Sequence, residues 1–178
     1  MKAVKKILVV VDMQNDFVNG ALGTKEARQI VDPVAAKIQG FEGEIFVTLD
    51  THSHNYLETA EGKALPVPHC IRTTNGWLLN EKVREALSQK EYRQIEKNTF
   101  GSVKLAEEIC RRKGDGDVEV EFVGLCTDIC VVSNVLLVKA FLPEAAIRVD
   151  ARCCAGVTPE THRAAIETMK MCQIEILD

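Results

Sequence analysis

VEVEFVGLCTDICVVSNVLLV, residues 118–138, is the stretch whose reading decides the fold. Its first part, VEVEFVGL, is an apolar run of one strand's length, rich in β-branched residues. The later part, ICVVSNVLLVKAFL, is too long for one strand and stops before Pro143, so it reads as a helix. The polar CTD between them marks a sharp turn. A strand that turns straight into a helix places its turn residues at the carboxyl edge of a sheet, facing a crevice. Thr127 is placed to cap the helix, and Cys130 then falls in its first turn. There the helix dipole and unpaired N–H groups are expected to lower the thiol pKa and favour thiolate. Cys130 is thus a candidate nucleophile.

Working outward, the run ILVVV within residues 5–11 is a buried parallel strand, continuous rather than alternating. It ends at Asp12, and Asn19-Gly20 and Gly23 mark a loop. Apolar residues from Thr24 to Ile38 recur at helical spacing, with a break expected at Pro33. EIFVTLD (44–50) is a second buried strand that ends in a carboxylate. Residues 51–76 have no clear period, and so long an irregular stretch inside a compact domain points to function. Leu78–Leu87 reads as helix, 91–97 as strand and Lys104–Arg112 as helix, with a turn at Gly114-Asp115-Gly116. Residues 145–150 are a fifth strand, Thr158-Pro159-Glu160 opens a helix, and QIEIL is a sixth strand. Strand and helix alternate, which predicts one α/β domain over residues 1–178, a three-layer sandwich around a six-stranded, mainly parallel sheet. Parallel strands share a carboxyl edge, so Asp12, Asp50, Lys97 and the CTDIC turn are expected to converge.

The chain has 178 residues, 46% hydrophobic and 27% charged, with net charge −4. That balance excludes a basic surface for nucleic acid or anionic membrane. No apolar run is long enough to span a bilayer, and the short N-terminal run leads into acidic residues, unlike a secretory leader. Seven cysteines, odd in number and irregularly spaced, argue against a disulfide framework and for a reducing cytoplasm.

Two constellations carry chemistry. In the first, Cys130 is the thiol, Asp12 accepts its proton and returns it to a leaving amine, and Lys97 stabilises the charges. Buried cysteines and ion pairs are common in cores, so spacing alone leaves a structural role equally open. In the second, three of the four histidines lie between positions 52 and 69, among acids: Asp50, His52, His54, Glu61 and His69. Asp-x-His puts both side chains on one side of an extended segment. Imidazole with carboxylate suits zinc, iron or manganese. Cys110, Cys153, Cys154 and Cys172 read as packing residues, and His162 as surface or core.

Five motifs occur in one order: DMQNDFVNGALG (12–23), D-x-H (50–52), PHC (68–70), KNTFGS (97–102) and GLCTDICV (124–131). Together they resemble the isochorismatase-like cysteine hydrolases, and within them the nicotinamidases, over nearly the whole chain. The resemblance implies a Rossmann-like sheet flanked by helices and an Asp12, Lys97, Cys130 triad. It selects Cys130 over Cys126 as nucleophile. It also implies a cis peptide at Leu125-Cys126 and an oxyanion hole from the backbone N–H groups of Cys126 and Cys130. For the metal, the matching positions are Asp50, His52 and His69. No third histidine stands at the usual offset, and Glu61 fits the variant that uses a glutamate. Phe17 matches an aromatic that packs on the substrate ring. A tryptophan expected before PHC and a tyrosine expected after Lys97 are missing, and Trp77 is the aromatic left to close the site.

These readings converge on a metal-assisted cysteine amidase acting on a small-molecule amide, nicotinamide first. It would hold a divalent ion, zinc before iron or manganese, and form a homo-oligomer. A relative acting on another amide, ureide or carbamoyl compound is the nearest alternative. A non-catalytic, redox-responsive scaffold that keeps the fold is a further one.

Overall fold

The computed structural model describes residues 4–178. Six strands form one sheet: β1 (Lys5–Val11), β2 (Glu44–Asp50), β3 (Tyr92–Lys97), β4 (Val118–Leu125), β5 (Ala146–Ala155) and β6 (Glu175–Leu177). Their order is β3-β2-β1-β4-β5-β6, and every pairing is parallel. The order reverses between β1 and β4, and in open parallel sheets ligands bind at the carboxyl ends beside such a reversal.

The continuous apolar runs are explained by two covered faces. Ile7, Val9 and Val11 of β1 pack with Phe46, Val120 and Phe122. Over them lie α6 (Val103–Lys113), α7 (Val132–Phe141) and α8 (Pro159–Met171). Leu8 and Val10 point the other way, toward Val34, Ile38, Val83 and Leu87. These belong to α3 (Val31–Gly40) and α5 (Glu81–Leu87); α1 (Asn15–Val18), α2 (Lys25–Gln29) and α4 (Ala60–Ala64) are short. Gly124 has φ +120°, and a Cβ there would collide with the Val11 carbonyl, so glycine lets β4 lie close against β1 beside the order reversal.

The helix expected over residues 24–38 is two helices. Thr24 caps α2 by accepting from the Ala27 N–H, and the break falls at Ile30, so that Pro33 sits in the first turn of α3, where its missing N–H is harmless. Residues 51–76 are not wholly irregular. Thr59 caps α4, accepting from the Gly62 N–H, but five residues are too few to show a period in sequence. β5 runs five residues past the expected end at 150, so Cys153 and Cys154 are buried strand residues.

On the face beneath α3, Lys37 Nζ reaches Asp150 at 2.8 Å and Glu121 at 2.6 Å. The Asp150 side chain is 1% exposed. Burial alone would raise its pKa, but hydrogen bonds from Arg152 and Lys37 outweigh burial and hold it below the ordinary 3.8. Its stabilising contribution is therefore complete above pH 3.8 and is lost as pH falls through the lower folded value. Lys37→Met is expected to cost about 1–2 kcal/mol near neutral pH, since Arg152 still partners Asp150. Urea unfolding at pH 7 and pH 3 checks this: the difference from the native protein shrinks at pH 3.

Candidate active site at the sheet edge

The carboxyl ends of β1, β2, β3 and β4 bring Asp12, Asp50, Lys97 and the Cys126–Cys130 turn together. In register, Val11 lies beside Thr48 and Gly124, and Asp50 beside Lys97. Asp12 leaves β1 with φ +46°, a left-handed conformation that aspartate tolerates better than most residues. It is fully buried. Oδ1 accepts from the Thr48 hydroxyl at 2.6 Å. Oδ2 is ion-paired with Lys97 Nζ at 2.6 Å, and as a carboxylate oxygen it has a second lone pair that can take a proton. Lys97 Nζ also donates to Cys130 Sγ at 3.4 Å and lies 3.7 Å from Asp50 Oδ1.

Electrostatics set the resting protonation. Burial would lower the Lys97 pKa, but Asp12, Cys130 and Asp50 outweigh it, so the ammonium stays charged. Burial raises the Asp12 carboxyl against the opposing pull of Lys97, moving it toward the range of a useful proton acceptor. It also pushes the Cys130 thiol well above its ordinary value, with Asp12 adding to the rise and Lys97 opposing it. This differs from the expectation of a thiol acidified by a helix dipole: burial and the neighbouring Asp12 charge favour the protonated form. The turn itself differs too. Residues Thr127–Val131 form a wide turn, with Val131 N–H donating to the Cys126 carbonyl at 3.0 Å. Cys130 therefore precedes α7 instead of sitting in its first turn. Cys126, not Thr127, occupies the capping position, and the Thr127 hydroxyl pairs with His162 Nδ1 at 2.8 Å. The Leu125-Cys126 peptide is cis.

Beside this triad lies a second cluster. Ligand atoms of Asp50, His52, Glu61 and His69 all fall within 4.8 Å of one another. Asp50 Oδ2 is 2.8 Å from His52 Nε2 and 3.4 Å from His69 Nε2, and Glu61 Oε1 is 3.6 Å from both. His69 Nδ1 pairs with the Val67 carbonyl at 2.8 Å; the carbonyl only accepts, so Nδ1 carries the proton and Nε2 turns its lone pair to the carboxylates. Burial would lower the His69 pKa, but Asp50, the Val67 carbonyl and Glu61 outweigh it and raise it. Lone pairs that converge with carboxylates call for a positive charge between them, so the donor set fits a divalent ion. His54 is exposed and stands outside the group.

Several positioning residues escaped the sequence reading. Gln14 clamps Asp50: Nε2 donates to its carbonyl at 2.8 Å and Oε1 accepts its N–H at 2.8 Å. Asp16 Oδ2 accepts from the Cys70 N–H at 2.8 Å, fixing the residue after His69. Tyr56 packs edge-on against both imidazoles, 4.7 Å from His52 and 5.0 Å from His69. Asn134 donates to the Cys130 carbonyl at 2.8 Å and accepts from the Ser102 N–H at 2.9 Å. Only Asn134, a polar residue inside an apolar run, left a signal of this in the sequence.

Triad thiol and metal cluster open into one cavity of about 1390 Å³. Phe17 lines it, with its ring 5.4 Å from that of His69. Trp77 does not. Its indole N–H donates to the Thr51 hydroxyl at 2.8 Å, and its ring packs on the core beneath α3 and α5, which removes it from the residues that could close the site.

A family model described as the isochorismatase domain matches residues 6–178. The chain belongs to the isochorismatase family. Among solved structures, a nicotinamidase/pyrazinamidase from Bacillus subtilis is 26% identical, with TM-score 0.83 over 98% of this chain and all of that one (100%). A Pyrococcus horikoshii pyrazinamidase in complex with zinc is 27% identical, with TM-score 0.78 over 98% of this chain and 99% of that one. An N-carbamoylsarcosine amidase from Thermoplasma acidophilum, 22% identical, shares the fold, with TM-score 0.76 over 98% of this chain and 96% of that one. No curated protein matches the chain. These solved structures are named for amide hydrolysis, as nicotinamidase, pyrazinamidase and N-carbamoylsarcosine amidase.

Proposed function

We propose that this isochorismatase-family protein is a metal-assisted amidase that converts nicotinamide and water to nicotinate and ammonia. The observation that carries the reading is the Cys130 thiol 3.4 Å from the Lys97 ammonium, with the buried Asp12 carboxylate 2.6 Å from that ammonium and the metal-binding cluster on the same cavity as the thiol. Cys130 Sγ attacks the carboxamide carbon as its proton passes to Asp12 Oδ2. Lys97 holds the negative charge that develops on sulfur and keeps Asp12 ionised between turnovers. Backbone N–H groups of Cys126 and Cys130 receive the oxyanion, a contribution of about 3–4 kcal/mol per donor in comparable sites. Asp12 then returns the proton to the departing ammonia, and water hydrolyses the thioester with Asp12 as base.

Asp50, His52, Glu61 and His69 would hold the divalent ion, zinc in the first instance, iron or manganese otherwise. The chemistry such an ion supplies when bound is a Lewis-acid position for the ring nitrogen that orients the ring. Phe17 packs against that ring. The zinc-bound relative supports the choice of metal. The seven cysteines, all unpaired, support a reducing cytoplasm, and exposed Val103 and Phe141 support a homo-oligomer.

The test is ammonia release from nicotinamide, pyrazinamide and non-aromatic amides, with metal content measured on the same sample. Turnover of nicotinamide with one divalent ion per chain is expected. In His69→Ala, metal content is expected to fall about tenfold or more, because His69 supplies a ligand whose orientation the Val67 carbonyl fixes. Full metal content in that variant, or no ammonia from any amide, overturns the reading.

A further inference from the structure

The cavity is larger than a single-ring amide requires. Sites that bury drug-sized ligands span roughly 300–1,000 Å³, whereas this one is about 1390 Å³. Its grip on a lone ring is slight. Phe17 offers one aromatic wall, while Tyr56 is 1% exposed and already engaged with both imidazoles. Away from the thiol and the metal cluster, the walls are Leu22, Ala27, Ala64, Leu65, Phe100 and Ile129. They come from four separate parts of the chain, and among them Ala64 is both small and exposed. Charge is scarce there. Apart from the catalytic and metal groups and exposed His54, the charged residues at the cavity are Arg72 and Glu96, and these are ion-paired with each other. A charged tail would find no free counter-charge and would lose hydration on entering.

We infer that the site takes neutral carboxamides whose acyl group extends one ring or more beyond the ring beside Phe17, with the extension in the apolar outer chamber. The inference rests on the amidase reading above and names its substrate class. The chemistry is unchanged: the C–N bond breaks as the Cys130 Sγ–C bond forms, and water then releases the extended carboxylate, with ammonia as the other product. Binding energy from the outer chamber offsets the weak hold on the ring.

Three amides decide it: nicotinamide, 5-phenylnicotinamide and 5-(4-carboxyphenyl)nicotinamide, each assayed for ammonia release by the zinc-loaded full chain. The phenyl compound is expected to show at least a tenfold higher kcat/KM than nicotinamide, carried mainly by KM, and the carboxylated one at least a tenfold loss from it. Ala64→Trp, which fills the chamber, is expected to lower the phenyl-to-nicotinamide ratio at least fivefold. Nicotinamide turned over as well as or better than the phenyl compound overturns the inference and leaves the amidase reading intact. Absence of ammonia from all three overturns both. Should Ala64→Trp fail to fold, the native comparison still decides.

Discussion

Cys130→Ala is expected to reduce ammonia release by about ten-thousandfold or more, while Cys126→Ala stays within about tenfold of the native rate. The two cysteines lie in one turn and both line the cavity, so exposure does not separate them. Position does. Cys130 Sγ receives the Lys97 ammonium at 3.4 Å, and its loss removes the atom that forms the thioester. Cys126 contributes its backbone N–H, which alanine keeps, and burial pushes its thiol up to about 12 with no cation in hydrogen-bond contact. Steady-state assays on both variants, with thermal melting to show that each is folded, check the pair. Normal turnover by Cys130→Ala overturns the mechanism.

Lys97→Met is expected to destabilise the fold by about 3–5 kcal/mol, because it leaves the buried Asp12 carboxylate without its cation. Lys97 is 2% exposed at its side chain and Asp12 is 0%, so water cannot take over. Adding Asp12→Asn removes the stranded charge and is expected to restore most of that stability, while activity in both variants stays about a thousandfold down or lower. Denaturant unfolding and ammonia release, measured on the single and double variants, separate the two roles. If activity recovered along with stability, the pair would be a structural ion pair and the proton route through Asp12 would fail.

By itself the sequence determined the layered α/β fold and the identity of the chemical groups. Short, continuous β-branched runs such as ILVVV, bounded by turn signals, read as strands buried on both faces. Strand ends carrying Asp12, Asp50, Lys97 and CTDIC must meet if the strands are parallel. The family resemblance offered Glu61 as a fourth ligand with His54 still open, and the fold groups Glu61 with the two histidines. Local pattern failed where the relevant force was not local. α4 was too short to show a period, and β5 continued through Arg152 because pairing with β4 resumes at Cys154. Trp77 gave no sign of the direction in which its ring would point.

Tertiary structure alone decided what the polar residues of DMQNDF do. Asp12 carries the proton acceptor, but Gln14 and Asp16 act on Asp50 and Cys70, 36 and 54 residues away, at separations no periodicity encodes. It also decided the state of the Cys130 thiol. A position near a helix start suggests a thiolate, yet the free energy of the charged form depends on everything within a few ångströms, and here burial and the Asp12 charge raise the thiol pKa. Periodicity and spacing record which groups the chain carries and which edge they reach. Their protonation, alignment and room for substrate arise from contacts between distant segments, which exist only once the chain has folded.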